Sequence, residues 1–328
     1  MKKEIKKIAV FTSGGDAPGM NACIRAVVKT GIHYNKEVVG ILMGYDGMIN
    51  NNFKPLNEAS VGDIIHRGGT VLKTARCLEF KTPEGMERGY QNILKNKIDA
   101  IVAIGGDGTF MGAERFSSKY NIPLIGIPGT IDNDMFGTDF TIGFDTATNT
   151  TVDAIDKIKD TADSHNRLFF IEVMGRDSGL IALYSGLAGG SEAILLPERE
   201  TNIDTLVKSL QQSVNKNNKS SCIIIVAEGE QSGGALKIAE KVKERFDFYD
   251  TKVTILGHLQ RGGSPSCFDR VLASRLGTAA VESLLEGASR KMVGLINNKV
   301  VLTDLSLAVK QDFELDEDMV HLSNILSF

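Results

Sequence analysis

Short apolar runs rich in β-branched residues alternate along this chain with longer amphipathic stretches, and this alternation strongly constrains the fold. The runs predicted to be strands include Ile8–Thr12, Val38–Met43, Ala100–Ile104, Leu124–Ile127, Leu168–Val173, Ile223–Ala227 and Val253–Leu256. The stretches predicted to be helices include Met20–His33, Thr146–His165, Asn202–Asn215, Gly234–Phe246 and Pro265–Glu286. Several runs are apolar throughout, which is typical of strands covered on both faces. The pattern predicts an α/β fold with mainly parallel sheets.

The bulk composition argues against several classes of function. The chain has 328 residues, enough for two domains, and no low-complexity linker separates two halves. A net charge of -4 gives no attraction to nucleic acid or to an anionic membrane, so neither is expected as a partner. No segment approaches the ~20 apolar residues that cross a bilayer, and the amino-terminal run is too short for a secretory signal. The four cysteines have no metal-site spacing, and we expect reduced thiols in a cytoplasmic protein.

Two glycine-rich turns share a spacing. Residues 14–22 read GGDAPGMNA and residues 105–113 read GGDGTFMGA, and each follows an apolar run and is expected to open a helix. Backbone N–H groups in such turns can bind anions, although coincidence between two glycine-rich turns is the alternative. Neither turn is a GxGxxG fingerprint or a Walker A sequence. This argues against a Rossmann oxidoreductase and against a P-loop kinase.

The second turn, Gly105–Thr109, fits a nucleotide and a metal ion. Asp107 can bind hydrated Mg²⁺ through a carboxylate oxygen. Its neighbour Gly108 leaves space where a side chain would collide with a nucleotide. A lone GGDG turn also fits lipid kinases and NAD kinases, and Asp107 alone could be an ordinary turn residue.

The next predicted strand is followed by Thr130, Asp132 and Asp134. Phosphoryl transfer needs a group that takes the proton of the attacking hydroxyl, and Asp132 is the natural general base. Asp134 is expected to orient Asp132 or to steer the metal ion. Turns rich in Asp and Asn are common, so this string alone would be weak evidence.

Three further clusters suit an anionic sugar. Arg176 follows one apolar run, and it could stabilise charge on the group in transfer. His258 and Arg261 follow another run and could bind a phosphate, since arginine binds phosphate in a bidentate manner. Glu228 could accept hydrogen bonds from sugar hydroxyls or could cap a helix. Each arginine alone could instead be a surface salt-bridge residue, but their joint arrival at strand ends favours a site.

Together, several strings closely resemble the bacterial ATP-dependent 6-phosphofructokinases. They are SGGDAPGMN, GGDGT, PGTIDND, MGRDSG and LGHLQRGGSP, in family order and near family spacing. The resemblance implies two Rossmann-like three-layer domains with the active site in the cleft between them. It places an ATP-binding domain at 1–142 plus 259–309 and a fructose 6-phosphate-binding domain at 143–258 plus 310–328. It also implies Mg²⁺, ATP as donor, fructose 1,6-bisphosphate as product, a role in glycolysis and a homotetramer.

The resemblance also assigns roles to single residues. For ATP it implies Gly15, Arg76, Cys77, Gly106, Asp107, Gly108 and Thr109, with Asp107 on the metal ion. For catalysis it implies Asp132 as base, with Thr130, Asp134 and Arg176. For the sugar phosphate it implies Thr130, Asp132, Met174, Gly175, Arg176, Glu228, His258 and Arg261. Arg167 and Lys252 match residues that a neighbouring subunit supplies, and Lys252 stands where arginine is usual. A point charge there replaces a fork of donors, so phosphate binding is expected to be weaker or less directional.

Two glycines bear on the phosphoryl donor. Pyrophosphate-dependent relatives usually carry Asp at the place of Gly108 and Lys at the place of Gly129. Both positions are glycine here, which favours ATP.

The family's effector site, for ADP or GDP and phosphoenolpyruvate, is matched less well. The corresponding residues are Arg25, Lys29, Lys159, Gly190, Glu192 and Lys219. Two of the lysines, Lys29 and Lys159, replace arginine, and Glu58 stands where arginine is usual. An acidic side chain repels a phosphate, so our hypothesis is that control by these ligands is weakened or altered.

Three competing interpretations stay open at the level of sequence. A pyrophosphate-dependent phosphofructokinase is disfavoured by Gly108 and Gly129. A lipid or NAD kinase would have no reason to carry Arg176, His258 and Arg261 in these settings. A catalytically inactive sensor of nucleotides or sugar phosphates is opposed by the carboxylate at Asp132, together with that at 107.

Overall fold

The computed structural model describes residues 4–162, 167–217, 221–309 and 315–326. The chain divides into two compact units. Unit 1 consists of Met1–Thr146 and Arg261–Asp312, and unit 2 consists of Ala147–Gln260 and Phe313–Phe328. The resemblance implied domain boundaries after residues 142, 258 and 309, whereas the two units change after residues 146, 260 and 312.

The described strands and helices alternate for most of the chain. The strands are β1 Lys7–Thr12, β2 Glu37–Ile41, β3 Phe53–Leu56, β4 Ala100–Gly105, β5 Leu124–Pro128, β6 Arg167–Val173, β7 Ala193–Leu195, β8 Cys222–Ala227, β9 Asp250–Ile255, β10 Lys291–Ile296 and β11 Lys299–Asp304. The helices are α1 Met20–His33, α2 Gly44–Ile49, α3 Pro83–Lys95, α4 Asp107–Tyr120, α5 Phe144–Ala162, α6 Leu180–Ala188, α7 Ile203–Asn217, α8 Gly234–Lys243, α9 Cys267–Glu286, α10 Leu305–Ala308 and α11 Glu317–Leu326. Short 3₁₀ turns cover Ala59–Val61, Glu79–Lys81 and Gly257–Arg261. Within these described ranges, no helix is both long and apolar enough to span a membrane.

Unit 1 contains a seven-stranded sheet in the order β11-β10-β5-β4-β1-β2-β3. The five inner strands are parallel, and the two edge strands, β11 and β3, run antiparallel to their neighbours. Every residue of β4 is buried, as expected for an inner strand with both faces covered. One face packs on an apolar cluster that includes Phe11, Phe110 and Phe116. Helices α1 and α9 pack against each other, and Gly277 permits this close approach because a Cβ there would lie 2.7 Å from the Cβ of Ala26.

Unit 2 contains a four-stranded parallel sheet in the order β7-β8-β6-β9. Alternate residues of the central strands, such as Leu168 and Phe170 on β6, pack on α7 and α8 through one apolar cluster. Their neighbours Phe169 and Ile171 are also buried, so both faces of β6 are covered. The sheet therefore has the parallel, doubly covered architecture that the apolar runs predicted.

The α/β class with mainly parallel sheets is confirmed, but several element ends differ from the prediction. The second run was wrong beyond Ile41, because Met43 adopts a left-handed φ of 62° and α2 begins directly after it. The run at 253–256 is longer at its start, since β9 begins at Asp250 and ends at Ile255. Helix α8 ends at Lys243 rather than Phe246. Helix α9 begins at Cys267 rather than Pro265, because the Ser266 side chain caps it by accepting from the Asp269 N–H.

Two other predicted helices also shift. Helix α5 begins two residues before Thr146, at Phe144, and the predicted residues 163–165 lie outside the described part of the chain. Helix α7 begins at Ile203 because Asn202 precedes it as a cap, with its Oδ1 accepting from the Thr205 N–H at 2.9 Å.

Candidate active site

The carboxyl ends of β4 and β5 bring two turns of unit 1 together. In the parallel ladder Gly105 pairs with Pro128, and the Gly129 N–H donates to the Gly105 carbonyl oxygen at 3.0 Å. One residue further, a Cβ built on Gly106 would lie 3.5 Å from the Cβ of Thr130. The turn that leads into Asp107 and the turn that leads into Asp132 therefore lie side by side at one edge of the sheet.

The first glycine-rich turn joins this edge through Thr109. Its hydroxyl donates to the Ser13 carbonyl oxygen at 3.1 Å, and the Ser13 N–H donates to the Ile104 carbonyl oxygen at 3.0 Å. A Cβ on Gly105 would lie 2.5 Å from that same Ser13 oxygen, so only glycine fits. The Thr109 side chain, 3% exposed, thus ties the two turns together, while its backbone N–H donates to the Gly106 carbonyl oxygen at 3.0 Å.

Helix α4 begins at Asp107, and this residue is half-buried. Its neighbour Gly108 is exposed, and a Cβ built there would meet nothing within 4 Å. The amino terminus of a helix carries partial positive charge and unpaired N–H groups, which attract phosphate. The open space beside Gly108 agrees with the space expected from the sequence, and the nucleotide site itself stays a prediction.

The loop after β5 is closed by its own hydrogen bonds. The Thr141 hydroxyl donates to the Thr130 carbonyl oxygen at 2.6 Å, and the Thr141 N–H donates to Asn133 Oδ1 at 2.6 Å. The Asp132 N–H donates to Thr130 Oγ1 at 3.2 Å. Asn133, at a φ of 53°, is the residue that makes the turn, whereas Asp132 is 3% exposed and Asp134 is half-buried. The loop therefore fixes the Asp132 backbone without using it as the turn-forming residue.

Arg261 lies over the first glycine-rich turn. Its Nη1 donates to the Asp16 carbonyl oxygen at 3.1 Å, and a Cβ built on Gly15 would lie 2.6 Å from the same Nη1. Glycine at position 15 thus leaves room for the guanidinium group as well as for the expected ATP contact. The structure places Arg261 in unit 1, beside a turn that the sequence assigned to the nucleotide.

The other two expected ATP residues lie on the loop before the Glu79–Lys81 turn. Arg76 is exposed, and Cys77 is half-buried and packs on the apolar cluster of unit 1. Burial raises the pKa of the Cys77 thiol, so it stays protonated near neutral pH. The loop is anchored by Lys73, whose carbonyl oxygen accepts from the Thr12 hydroxyl at 3.1 Å at the end of β1.

In unit 2 the turn after β6 is held by Glu228. Its Oε1 accepts from the Gly175 N–H at 3.2 Å and from the Arg176 N–H at 2.7 Å. A Cβ on Gly175 would lie 2.4 Å from the Ser178 carbonyl oxygen, and Arg176 adopts a left-handed φ of 54°. Such a conformation is strained for a non-glycine residue, and hydrogen bonds on the turn stabilise it here.

Gln260 holds the same turn from the other side. Its Oε1 accepts from the Met174 N–H at 2.8 Å, and the residue is fully buried. His258 is exposed on the 3₁₀ turn that begins after β9. The residues Met174, Gly175, Arg176, Glu228 and His258 therefore all follow the carboxyl ends of parallel strands in unit 2.

Arg167 and Lys252 are not brought to that edge. Arg167 begins β6, which is seven residues long, so it lies about 20 Å from the carboxyl end of the strand. Asp250 pairs with both residues, at 3.7 Å from Arg167 Nε and 2.8 Å from Lys252 Nζ. The hydrogen bond from Lys252 lowers the pKa of Asp250 most, and the nearby Arg167 charge adds to it. These two cations form a separate cluster at the amino end of the sheet.

The residues matched to the effector site are divided between the units. Arg25 and Lys29 lie on α1 of unit 1. In unit 2, Lys159 Nζ donates to the Gly190 carbonyl oxygen at 3.2 Å. Glu192 is buried against β8, where its N–H and its carboxylate pair with the backbone of Ile223. Lys219 lies outside the described residues.

Sequence reasoning missed three buried polar residues that support the site. Asn21, 1% exposed, donates to the Arg67 carbonyl oxygen at 3.0 Å and accepts from the Val71 N–H at 2.7 Å. The Tyr45 hydroxyl donates to the Thr109 carbonyl oxygen at 2.5 Å. Gln260 is the third. Asn21 and Gln260 stood inside the quoted strings, and for Asn21 the available signal was a polar side chain within an apolar stretch.

Comparison with known proteins is decisive for the family. A profile described as Phosphofructokinase matches residues 7–284. The chain belongs to the phosphofructokinase family. It is 54% identical over 323 residues to the ATP-dependent 6-phosphofructokinase of Cytophaga hutchinsonii, covering 98% of each chain. It is also 54% identical to the ATP-dependent 6-phosphofructokinase of Bacillus pumilus, covering 98% of this chain and 100% of that protein.

Solved structures of the family show the same fold. Phosphofructokinase from Saccharomyces cerevisiae matches with a TM-score of 0.88 and 35% identity, and the match covers 98% of this chain but 46% of the yeast chain. The pyrophosphate-dependent phosphofructokinase of Marinobacter aquaeolei matches with a TM-score of 0.85 over 98% of this chain and 91% of that chain. Its identity is 24%, so this second likeness concerns the fold alone.

Proposed function

We propose that this chain transfers the γ-phosphoryl group of ATP to the 1-hydroxyl of fructose 6-phosphate, giving fructose 1,6-bisphosphate and ADP in cytoplasmic glycolysis. The observation that carries the proposal is the pairing of the β4 and β5 ends, linked by the 3.0 Å hydrogen bond from Gly129 to Gly105. It gives the Asp107 and Asp132 turns a common edge. The relatives named above, matched over nearly their whole length, support the same reaction.

Asp132 takes the proton of the attacking hydroxyl in this proposal. The residue is 3% exposed, and its loop is closed by the bonds of Thr141 to Thr130 and Asn133. A general base must be fixed within hydrogen-bonding reach of the proton it removes, and such a base contributes ~10²–10⁴-fold to the rate. The closed loop supplies that fixed position.

We infer that the donor is ATP from the open space beside Gly108. Nothing lies within 4 Å of a Cβ there, so the turn can accommodate a nucleotide. Gly129 differs, since a Cβ on it would lie 3.0 Å from Ile104 Cγ2 and 3.2 Å from Met20 Cε. A longer side chain of the kind that pyrophosphate enzymes usually carry at this position would collide with the core, which disfavours that alternative.

Asp107 is the residue that would bind Mg²⁺. Among the described residues, no group of three or more His, Cys, Asp or Glu side chains could form a metal site. Mg²⁺ usually binds through one or two carboxylates together with substrate phosphates and water, so a single half-buried carboxylate at the start of α4 fits it. When bound, Mg²⁺ neutralises charge on the phosphates.

In this proposal the acceptor is bound by Arg176, Glu228, His258 and Arg261. Arg176 stabilises negative charge on the group in transfer, and Glu228 fixes the turn that carries Arg176. Two backbone N–H groups donate to Oε1 of Glu228, and Oε2 is the oxygen that we propose for a sugar hydroxyl. His258 and Arg261 bind the 6-phosphate, with Arg261 oriented by its bond to Asp16.

Arg167 and Lys252 bind the sugar phosphate of a neighbouring subunit in a homotetramer. The about 20 Å between the two ends of β6 supports this part of the proposal, because an arginine at one end cannot reach a ligand at the other. Control by ADP, GDP or phosphoenolpyruvate is altered, since Glu58 and the lysines on α1 and α5 replace arginines.

The reaction is tested by transfer of label from ATP labelled at the γ-phosphate. The chain is incubated with fructose 6-phosphate, with diacylglycerol or NAD, and with labelled pyrophosphate in place of ATP, each with and without Mg²⁺. We expect label in fructose 1,6-bisphosphate only with ATP, fructose 6-phosphate and Mg²⁺ together. Activity with pyrophosphate but none with ATP would establish the alternative donor, and nucleotide binding without transfer would establish an inactive sensor.

A further inference from the structure

A carboxylate of unit 1 that the proposed reaction does not use lies completely buried in the first turn of α9. Asp269 is 0% exposed, and its two oxygens accept three hydrogen bonds from the start of α5. Oδ1 accepts from the Gly143 N–H at 2.8 Å. Oδ2 accepts from the Thr146 N–H at 2.8 Å and from the Thr146 hydroxyl. One buried side chain thus fixes the beginning of a helix distant in sequence.

The start of α5 is the return of the loop that carries Asp132. Directly before it, the Ile142 N–H donates to the Pro128 carbonyl oxygen at 3.0 Å, and Ile142 forms a parallel bridge with Gly129. The preceding residue, Thr141, bonds to both Thr130 and the turn at 133. We call the segment from Gly129 to Thr141, which contains Asp132, the base loop. A shift at Gly143 is therefore transmitted to the base loop through Ile142 and Thr141, which are both hydrogen-bonded to it or to the end of β5.

The same carboxylate is linked to the segment after Arg261. The Thr146 hydroxyl that donates to Asp269 also accepts from the Ser266 N–H at 3.0 Å. Ser266 in turn caps α9, since its Oγ accepts from the Asp269 N–H at 3.2 Å. The first glycine-rich turn packs here too, because a Cβ on Gly19 would lie 3.6 Å from the Asp269 Cβ. The loop of Asp132, the segment after Arg261 and the first glycine-rich turn therefore all meet at Asp269.

We infer that Asp269 is a positioning residue for phosphoryl transfer, which fixes the base loop of Asp132 and the segment of Arg261 relative to each other. The inference rests on the proposed function, and it adds a residue that does not touch either substrate. Its action is geometric: the carboxylate accepts at two oxygens at once, which no other side chain of similar size can do. An amide at this position would place an NH₂ group against the N–H or hydroxyl donors of Thr146 or Gly143.

Burial of this group is costly, which argues against a purely stabilising role. Desolvation raises the pKa of Asp269 to about 6, although the hydrogen bonds from Thr146 and Gly143 lower it, and the charge of Asp145 raises it further. When buried charged groups are replaced by apolar residues of similar size, the protein is often equally stable or more stable. In some proteins the benefit of such groups is that they fix one arrangement of the neighbouring segments.

Four variants test the inference with ATP and fructose 6-phosphate as substrates. Asp269→Asn removes the double acceptor. Thr146→Val removes only the hydroxyl and keeps the backbone donor, and Thr146→Ser restores a hydroxyl. The matched control, Thr278→Val, removes a hydroxyl contact of 3.1 Å with Thr30, more than two turns further along the same helix. Turnover is normalised to folded enzyme, measured by circular dichroism and by nucleotide binding.

We expect Asp269→Asn to lower kcat about 10- to 100-fold and to raise KM for fructose 6-phosphate, because misplacement by about 1 Å has that effect on rate. KM for ATP should change little, since no described bond links Asp269 to the Gly105–Thr109 turn. Thr146→Val should lose several-fold in kcat, Thr146→Ser should recover it, and Thr278→Val should match the wild type.

Equal kcat and KM in folded Asp269→Asn and the wild type would overturn the inference, as would equal effects on both substrates' KM. If Asp269→Asn does not fold, unchanged kinetics in Thr146→Val overturn it instead. A wild-type chain without activity on ATP and fructose 6-phosphate would refute the proposed function itself. That outcome is read from the wild type alone, so the two failures are distinguishable.

Discussion

The carbonyl oxygen of Gly105 accepts a hydrogen bond of 3.0 Å from the N–H of Gly129, so the β4–β5 ladder extends past the last residue of β5. This extension matters because the turns after these two strands carry the residues that we propose to bind phosphate and to accept the proton. The carboxylates that we propose for the metal ion and for the proton thus follow neighbouring strands of one sheet.

Replacing Asp132 with serine should abolish most turnover while substrate binding persists. The carboxylate is the proposed proton acceptor, and its loop is closed by bonds that do not involve its side-chain oxygens. We expect kcat to fall ~10²–10⁴-fold with both KM values within a few-fold of the wild type. Steady-state kinetics checks this, with Asp139→Ser on the same loop as the control. Loss of equal size in the control would show that loop integrity, rather than a base, was removed.

The glycines at 108 and 129 should respond differently to a side chain. Gly108→Asp adds atoms to open space, so the melting temperature should not change while KM for ATP rises at least tenfold. Gly129→Ala places a Cβ 3.0 Å from Ile104 Cγ2 and should destabilise the fold by about 1–3 kcal/mol through overpacking. Thermal unfolding and ATP kinetics on both variants check the contrast. An unchanged KM for ATP in Gly108→Asp would show that the nucleotide does not occupy the space beside Gly108.

Much of both sheets could be predicted because several of their inner strands are continuous apolar runs. β1, β4, β5, β6 and β8 each contain the predicted run almost to the residue. The β10–β11 hairpin was missed. Its turn consists of Asn297 and Asn298, both at positive φ, which is the signature of a tight two-residue hairpin turn. Most residues of β11 are exposed, as expected for an edge strand, whereas the four central residues of β10 are buried.

The site was predictable as a set of residue types but less so as an arrangement. Strand order is not written in the sequence, and only the order β5-β4-β1 shows that the turns after these three strands share an edge. The position of Arg261 over Gly15 also depends on a long-range contact. Buried polar residues such as Asp269 were missed because a carboxylate in an amphipathic helix is usually read as exposed.

Adding a methyl group at Gly15 should act through Arg261. A Cβ there would lie 2.6 Å from Nη1 of Arg261, and the far end of a flexible side chain can move, so the fold should persist. We expect Gly15→Ala to raise KM for fructose 6-phosphate several-fold. In an Arg261→Ala background the same change should have little further effect on that KM. This double-mutant cycle isolates the pair, and additive effects would mean that Gly15 acts on the nucleotide alone.

The ionisation of Asp269 should appear in the pH dependence of stability. Its folded-state pKa of about 6 lies above the ordinary value of 3.8, so the folded state binds more protons than the unfolded state between these pH values. Its stabilising contribution is therefore complete below about pH 4 and is lost as the pH rises through about 6, by about 3 kcal/mol in all. Urea unfolding of the wild type and Asp269→Asn from pH 4 to 7 measures the difference. A difference that does not fall with pH would contradict the raised pKa.

Two defective chains should restore each other if the sugar-phosphate site is shared between subunits. Arg167 lies about 20 Å along β6 from the edge that carries Arg176, so one chain cannot place both on one ligand. Arg167→Ala and Arg176→Ala should each bind fructose 6-phosphate poorly as homo-oligomers. In mixed oligomers one site of each shared pair combines an intact Arg176 with an intact Arg167 from its neighbour, so about a quarter of wild-type activity should return on random assembly. The mixture is made by co-expression or by refolding together, with the separately assembled variants combined afterwards as the control. If the co-assembled mixture is no more active than the control, the two arginines do not combine from different chains into one sugar-phosphate site.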